Sequence, residues 1–172
     1  SSKLILEGPI KKLDEQSGGS SSFILAGKTS YMQQSSKVLY KYINENGLPY
    51  NFTDLYGKLS LSNTGGSKLN LFGFHFTDNV DYSDISKLEW KADGMGANFV
   101  LVPSGSSVLL DGIFSYSNYR ITLDEVNKKQ RSSAISGFNF GLNFTYFISK
   151  DEVQYGFEVA GYRTDFDFYN SL

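Results

Sequence analysis

This chain of 172 residues has no cysteine, one histidine, one tryptophan, two methionines and three prolines. Without cysteine it can form no disulfide, no thiolate metal site and no cysteine nucleophile. Neither sign of charge dominates: 16 Lys and Arg stand against 18 Asp and Glu, a net charge of -2, which gives no argument for a nucleic-acid partner. No stretch approaches the roughly 20 apolar residues of a membrane helix, so a membrane could be entered only by strands. There is no glycine-rich phosphate loop, no metal triad and no nucleophile–base pair built on a histidine outside the strands. Neither an enzyme nor a bound cofactor is expected.

What is abundant is glycine (17), phenylalanine (14) and tyrosine (12). They are concentrated in the stretch from Gly137 to Val159. Phe138, Phe140, Leu142, Phe144 and Tyr146 take every second position, with Asn139, Gly141, Asn143 and Thr145 between them. After ISKDE the alternation resumes, with Tyr155, Phe157 and Val159 against Gln154, Gly156 and Glu158. Side chains of a strand alternate between two faces, so this hairpin has one large aromatic face and one small polar face. A membrane barrel needs that division, with lipid outside and water or polar groups inside.

The same alternation predicts strands over Ser2–Ile10, Ser21–Tyr31, Asn51–Asn63, Ser67–Thr77, Lys87–Val102 and Ser107–Ile121. The two strands of the hairpin follow, the last running to about Phe168. A helical turn is expected over Val38–Ile43, stopped by Asn46-Gly47. Connections near Gly18, Gly65, Gly105 and Asp151 read as short turns, and those around Tyr40, Asp81 and Lys128 as longer loops. Thr122–Ser132 reads as a charged loop. Tyr31, Trp90, Tyr119 and Tyr162 lie toward the long-loop ends, where an aromatic girdle at the lipid–water boundary would sit. The fold expected is all-β: an antiparallel up-and-down meander of about eight strands from a transmembrane β-barrel, with residues 1–172 forming one segment of barrel wall.

The phrases GLPYNFTDLYGKLSLSNTGGSKLNLFGFHFTDNVDY, GANFVLVPSGSSVLLDG and GFNFGLNFTYFISKDEVQYGFE resemble the barrel of TonB-dependent outer-membrane receptors, nearest to the type with an N-terminal carboxypeptidase-like regulatory domain. The resemblance covers almost the whole chain and rests on no single short motif. It implies a Gram-negative outer-membrane location, contact with outer-membrane lipid, and import of a siderophore, cobalamin, glycan or peptide. It also implies a plug domain and coupling to TonB. Neither a plug nor a TonB box is found in this stretch, so the expectation is an internal piece of the barrel wall. Two other readings stay open: a complete small eight-stranded barrel with a structural or adhesive role, whose last strand would pair with its first, and a soluble carbohydrate-binding β-sandwich.

Tyr40, Tyr42 and Tyr50 are the candidate substrate contacts, because tyrosine offers a flat face and a hydroxyl to a sugar or catechol. The same residues could instead pack their loop. His75 reads as a polar residue facing the barrel lumen rather than a metal or proton site. Asp78, Asp81 and Asp84 could ligate calcium, but they lack the glycine and terminal glutamate of an EF-hand and read as a solvated loop. Asn51 and Asn143 each open an NFT triplet, taken as strand composition rather than glycan attachment. Glu125, Lys128, Lys129 and Arg131 read as a solvated mixed-charge run, with contact to lipopolysaccharide phosphates as the alternative. Asp111 and Glu158 are lumen charges that could conceal a carboxylate pair.

Overall fold

The computed structural model describes residues 1–12, 18–39, 47–82 and 85–168. Eight strands form one sheet in sequence order: β1 (Ser2–Lys11), β2 (Gly19–Thr29), β3 (Tyr50–Asn63), β4 (Lys68–Tyr82), β5 (Ser86–Leu101), β6 (Val108–Glu125), β7 (Arg131–Ile148) and β8 (Asp151–Asp167). Every neighbouring pair is antiparallel. The chain is therefore an all-β up-and-down meander, with one helix, α1 (Met32–Leu39), between β2 and β3.

Of the expected helical turn Val38–Ile43, only Val38 and Leu39 belong to α1, which starts at Met32; residues 40–43 lie outside the described residues. Ser30 Oγ accepts the Met32 N–H at 3.2 Å and caps the first turn of α1. Ser36 Oγ accepts the Leu48 N–H at 2.6 Å, and the Asn51 amide donates to Gln33 Oε1 at 3.2 Å. These bonds hold the helix against the start of β3.

Long connections were expected at three places, and only one has that form. Residues 30–49 join β2 to β3, but only 83–85 separate β4 from β5 and only 126–130 separate β6 from β7. Asp78–Tyr82, Thr122–Glu125 and Arg131–Ser132 are strand ends. At the β6–β7 turn Glu125 holds both Lys128, at 3.1 Å, and Arg131, so the charged run closes a tight connection.

Among the described residues there is no second layer. The accessible surface is 12141 Å², against about 8,400 Å² for a compact protein of this mass. Ala134 is the one buried apolar residue among those described. A sandwich would cover one face of each sheet with the other, so the sandwich expectation is not met. β1 and β8 make no contact among the described residues, so the sheet is open at both edges and does not close on itself as an eight-stranded barrel.

From β2 to β8 the register runs without a slip, the only irregularity being between Pro9 and Lys11. Residues paired across strands share a face, so each face can be read as rows. On face A one row runs Leu6, Leu25, Gly57, Gly73, Met95, Tyr116, Phe138, Gly161, and the next Gly8, Phe23, Leu59, Leu71, Ala97, Phe114, Phe140, Val159. The rows toward the β7–β8 turn hold Leu61, Leu69, Phe99, Gly112, Leu142 and Phe157, then Leu101, Leu110, Phe144 and Tyr155. None of these residues is charged; the Leu61 row continues through Ser21 and ends on Lys11, at the β1–β2 edge of the face beyond the irregularity at Pro9. Phe144 stacks on Tyr155 with centroids 5.1 Å apart.

Toward the other rim, face A changes abruptly. The row that starts Gly27–Leu55 continues as His75, Asp93, Asn118, Ser136 and Arg163, and the row beyond it reads Thr29, Thr53, Thr77, Lys91, Arg120, Ala134, Asp165.

Face B does the reverse. Its half toward the β7–β8 turn is polar and cross-bonded. Ser60 donates to Asn70 at 2.7 Å and Asn70 to Asn98 at 2.8 Å; Asn143 donates to Asp111 at 3.1 Å. Its other half carries Tyr50, Phe52, Phe74, Phe76, Leu88, Trp90, Tyr119, Ile121, Leu123, Ile135, Tyr162 and Phe166. Partway along the strands the greasy side of the sheet exchanges places with the polar one.

Candidate functional site

The aromatic half of face B contains a hollow of about 380 Å³, lined by Tyr50, Phe76, Asp78, Trp90, Ala92 and Tyr119. Four strands supply it. Phe76, Ala92 and Tyr119 fall in one row of β4, β5 and β6, and the small Ala92 between two rings leaves the space. One row toward the rim, Asp78 pairs with Trp90. Tyr50 closes the rim side from the first position of β3, where its ring tilts against Phe52 at 6.1 Å. Phe74 stacks on Phe76 with centroids 4.9 Å apart, which holds one wall in place.

The hollow has a negative pole. Asp54 is paired with Phe76 and Phe52 with Asp78, so the two carboxylates are diagonal neighbours on this face. Burial first, then repulsion from Asp54, holds the Asp78 carboxyl above the ordinary carboxylate range. Burial, then Asp78 and Asp54, raises the Tyr50 hydroxyl likewise. These residues lie beyond the charge-free rows of face A. Lys28, the directly paired neighbour of Asp54, places its ammonium 4.7 Å from the Phe52 ring centroid rather than in an ion pair. Rings and a carboxylate around one hollow can hold a flat polar ring or a cation.

Of the three expected contact residues, Tyr50 lines this hollow, while Tyr40 and Tyr42 lie outside the described residues. Trp90 and Tyr119 were read as girdle residues and form its walls. Trp90, Tyr119 and Tyr162 all sit on face B, opposite the greasy rows. Their positions were legible in the period-two runs Leu88-Trp90-Ala92 and Tyr119-Ile121-Leu123. The first lay inside an expected strand; the second crossed into what read as a loop.

His75 lies on face A, in the row where that face turns polar, and it has an acidic partner that sequence distance concealed. Asp93 pairs with it across β4 and β5, Nδ1 to Oδ1 at 2.5 Å, and Thr77 Oγ1 lies 3.0 Å from Nε2. Both charged partners are about half exposed, so the pair contributes little. His75→Gln is expected to change unfolding stability by less than about 1 kcal/mol; denaturant titration of the folded chain checks this, and a larger loss would show that the pair anchors the strands. Beside His75, face A dips into a second hollow of about 480 Å³ between Leu4, Leu6, Leu25 and Leu55, floored by Gly27, Gly57 and Gly73. Its lining is apolar apart from His75.

The remaining candidates are separated by the register. Asp78 and Asp81 fall on opposite faces of β4, which does not suit a shared calcium ion, and Asp84 lies outside the described residues. Among the described residues no cluster of three potential metal ligands occurs. Asn51 is on face A, bonded to Gln33; Asn143 is on the polar half of face B, as expected. Asp111 binds Asn143 and Glu158 binds Asn139, with β7 between them, so they do not form a carboxylate pair.

Comparison with protein-family models, with curated proteins and with solved structures finds no match to this chain.

Proposed function

We propose that this chain is part of the wall of an outer-membrane transport barrel, with face A against lipid and face B toward the lumen. The observation that carries the proposal is the set of adjoining rows on face A that are charge-free from β2 to β8. From Phe138 to Tyr146 on β7 the greasy positions cover about 27 Å of strand at about 3.4 Å per residue, or about 20 Å of height at a tilt of roughly 40°. That is comparable with the roughly 25 Å apolar band of an outer-membrane barrel. Several strands are longer than the crossing requires: β5 to β8 have 16, 18, 18 and 17 residues, where a tilted strand needs about 9–11. The surplus lies beyond the His75 row, where face A turns polar and water would replace lipid.

Open edges cannot sit in lipid, because each unpaired backbone group there costs several kcal/mol. Further strands must therefore continue from β1 and β8. A receptor barrel of the TonB-dependent kind supplies them, and its plug fills the lumen. The choice of that kind among outer-membrane barrels rests on the sequence resemblance. In this reading the hollow on face B meets the imported nutrient near the cell exterior.

The test is dependence on amphiphile. The 172-residue chain is expected to aggregate in plain buffer and, with the open edges of β1 and β8 paired between copies, to recover its sheet in detergent micelles, by far-ultraviolet circular dichroism and light scattering. A well-folded monomer in buffer alone would sink the membrane reading.

A further inference from the structure

We infer that the hollow formed by Tyr50, Phe76, Asp78, Trp90 and Tyr119 binds organic cations: ligands with an alkylammonium or quaternary ammonium group. The inference rests on reading this hollow as a ligand site and does not depend on which class of barrel carries it. Ring walls alone would accept any flat or greasy group. The charge pattern narrows the choice. Asp54 and Asp78 stand on adjacent rows, and no ion pair among the described residues includes either. From β5 the same face presents Leu88, Trp90 and Ala92 to Asp78, and none of these carries charge. From β3 it presents Tyr50, Phe52 and Asp54, and from β2 Lys28, whose ammonium lies over the Phe52 ring at 4.7 Å and in no ion pair among the described residues; Asp54, the diagonal neighbour of Asp78, is repulsive.

A carboxylate so placed favours a positive guest, and the rings favour the same one. A cation over an aromatic face is attracted by the ring quadrupole, most strongly over tryptophan. A metal ion is a poorer guest, because a hard cation wants six or more oxygens and the lining supplies one carboxylate and two phenols. The volume, about 380 Å³, is at the lower end for small-ligand sites and suits a compact headgroup.

The experiment uses an internal probe. Trp90 is the only tryptophan of the chain, so its fluorescence reports this hollow alone. The full chain is folded in nonionic polyoxyethylene micelles, since amine-oxide or choline detergents would compete. It is titrated with choline, with the neutral isostere 3,3-dimethylbutanol, and with glucose. Choline is expected to change Trp90 emission saturably and to bind at least about tenfold more tightly than the isostere. Asp78→Asn should weaken choline by about tenfold or more, with an unchanged circular dichroism spectrum. Ala92→Leu should fill the hollow and abolish the response.

Acidification supplies a second readout. The ionised carboxylate is the binding form, so choline affinity should fall as Asp78 takes up its proton, and an affinity undiminished at about pH 4 would count against the inference. Equal binding of choline and its isostere would overturn it in favour of an apolar hollow. Binding of glucose but not choline would overturn the cation while keeping the ligand site. No response to any of the three from a folded chain would remove both.

Discussion

Leu71→Arg should destabilise the lipid-embedded chain by about 2–4 kcal/mol, whereas Gln154→Arg should change its stability by less than about 0.5 kcal/mol. Leu71 sits in one of the charge-free rows of face A, between Leu59 and Ala97. If lipid covers that face, a guanidinium there must be moved out of the hydrocarbon, carried to its surface along a bent side chain, or left poorly solvated. Gln154 lies on face B, among Glu152 and Glu158 of the same strand, where a charge meets water or polar neighbours. The two substitutions therefore add the same charge to opposite faces. Denaturant unfolding in lipid vesicles measures both. Equal, small effects would mean that face A faces water, and the membrane reading would fail with them. The result would also separate lipid from a protein cover: a packed protein partner would penalise Leu71→Ala too, by leaving a cavity, while fluid lipid would refill the space.

The sequence made most of the architecture legible, because a strand's period of two is a local property. Phe138 to Tyr146 could be assigned to one face, and Asn139 to Thr145 to the other, before any pairing was known, and the observed register agrees. The lower ends of the strands were readable for the same reason. What failed was the half beyond the His75 row. Around Asp81 and Thr122–Ser132 the polar residues looked like loops, since apolar residues there no longer continue the greasy face. They continue on the other one: Val80 and Tyr82, then Tyr119 with Ile121 and Leu123, all on face B. Within one strand such a change shows only as a switch of the apolar residues from even to odd positions, as between Tyr116 and Tyr119 of β6, which reads equally as a strand that has ended. That the switched residues form one patch emerges when neighbouring strands are set in register. The binding hollow was half legible for the same reason. Tyr50 could be suspected from its type, but its meeting with Phe76, Trp90 and Tyr119 depends on three strand pairings. The His75–Asp93 contact likewise depends on the pairing of β4 with β5, and distance along the chain is no guide to it.

A second large effect is expected from Gly96→Ala, a loss of about 1–3 kcal/mol, while Gly73→Ala should stay within about 0.5 kcal/mol of the parent. Several aromatic rings of this sheet lie flat over a glycine on the paired strand: Phe72 over Gly96, Phe74 over Gly94, Phe99 over Gly112, Tyr162 over Gly137 and Phe138 over Gly161. In a single layer with almost no buried apolar side chain, these covers are a main source of tight packing, and they occur on both faces. A methyl group on Gly96 would meet the Phe72 ring at 2.5 Å and the Phe114 carbonyl oxygen at 2.8 Å. The ring could swing away, at the loss of its contact. The carbonyl belongs to the β5–β6 ladder and can move only by bending a strand. On Gly73 the nearest atom to an added methyl is the Gly94 carbonyl oxygen at 3.5 Å, an ordinary contact. Combining Gly96→Ala with Phe72→Ala distinguishes the two causes. If the ring is the main obstacle, the double variant loses much less than the sum of the singles; if the carbonyl is, the losses add. Equal stability of Gly96→Ala and Gly73→Ala would show that the rings are loose and that the aromatic-over-glycine pairs do not hold this sheet together.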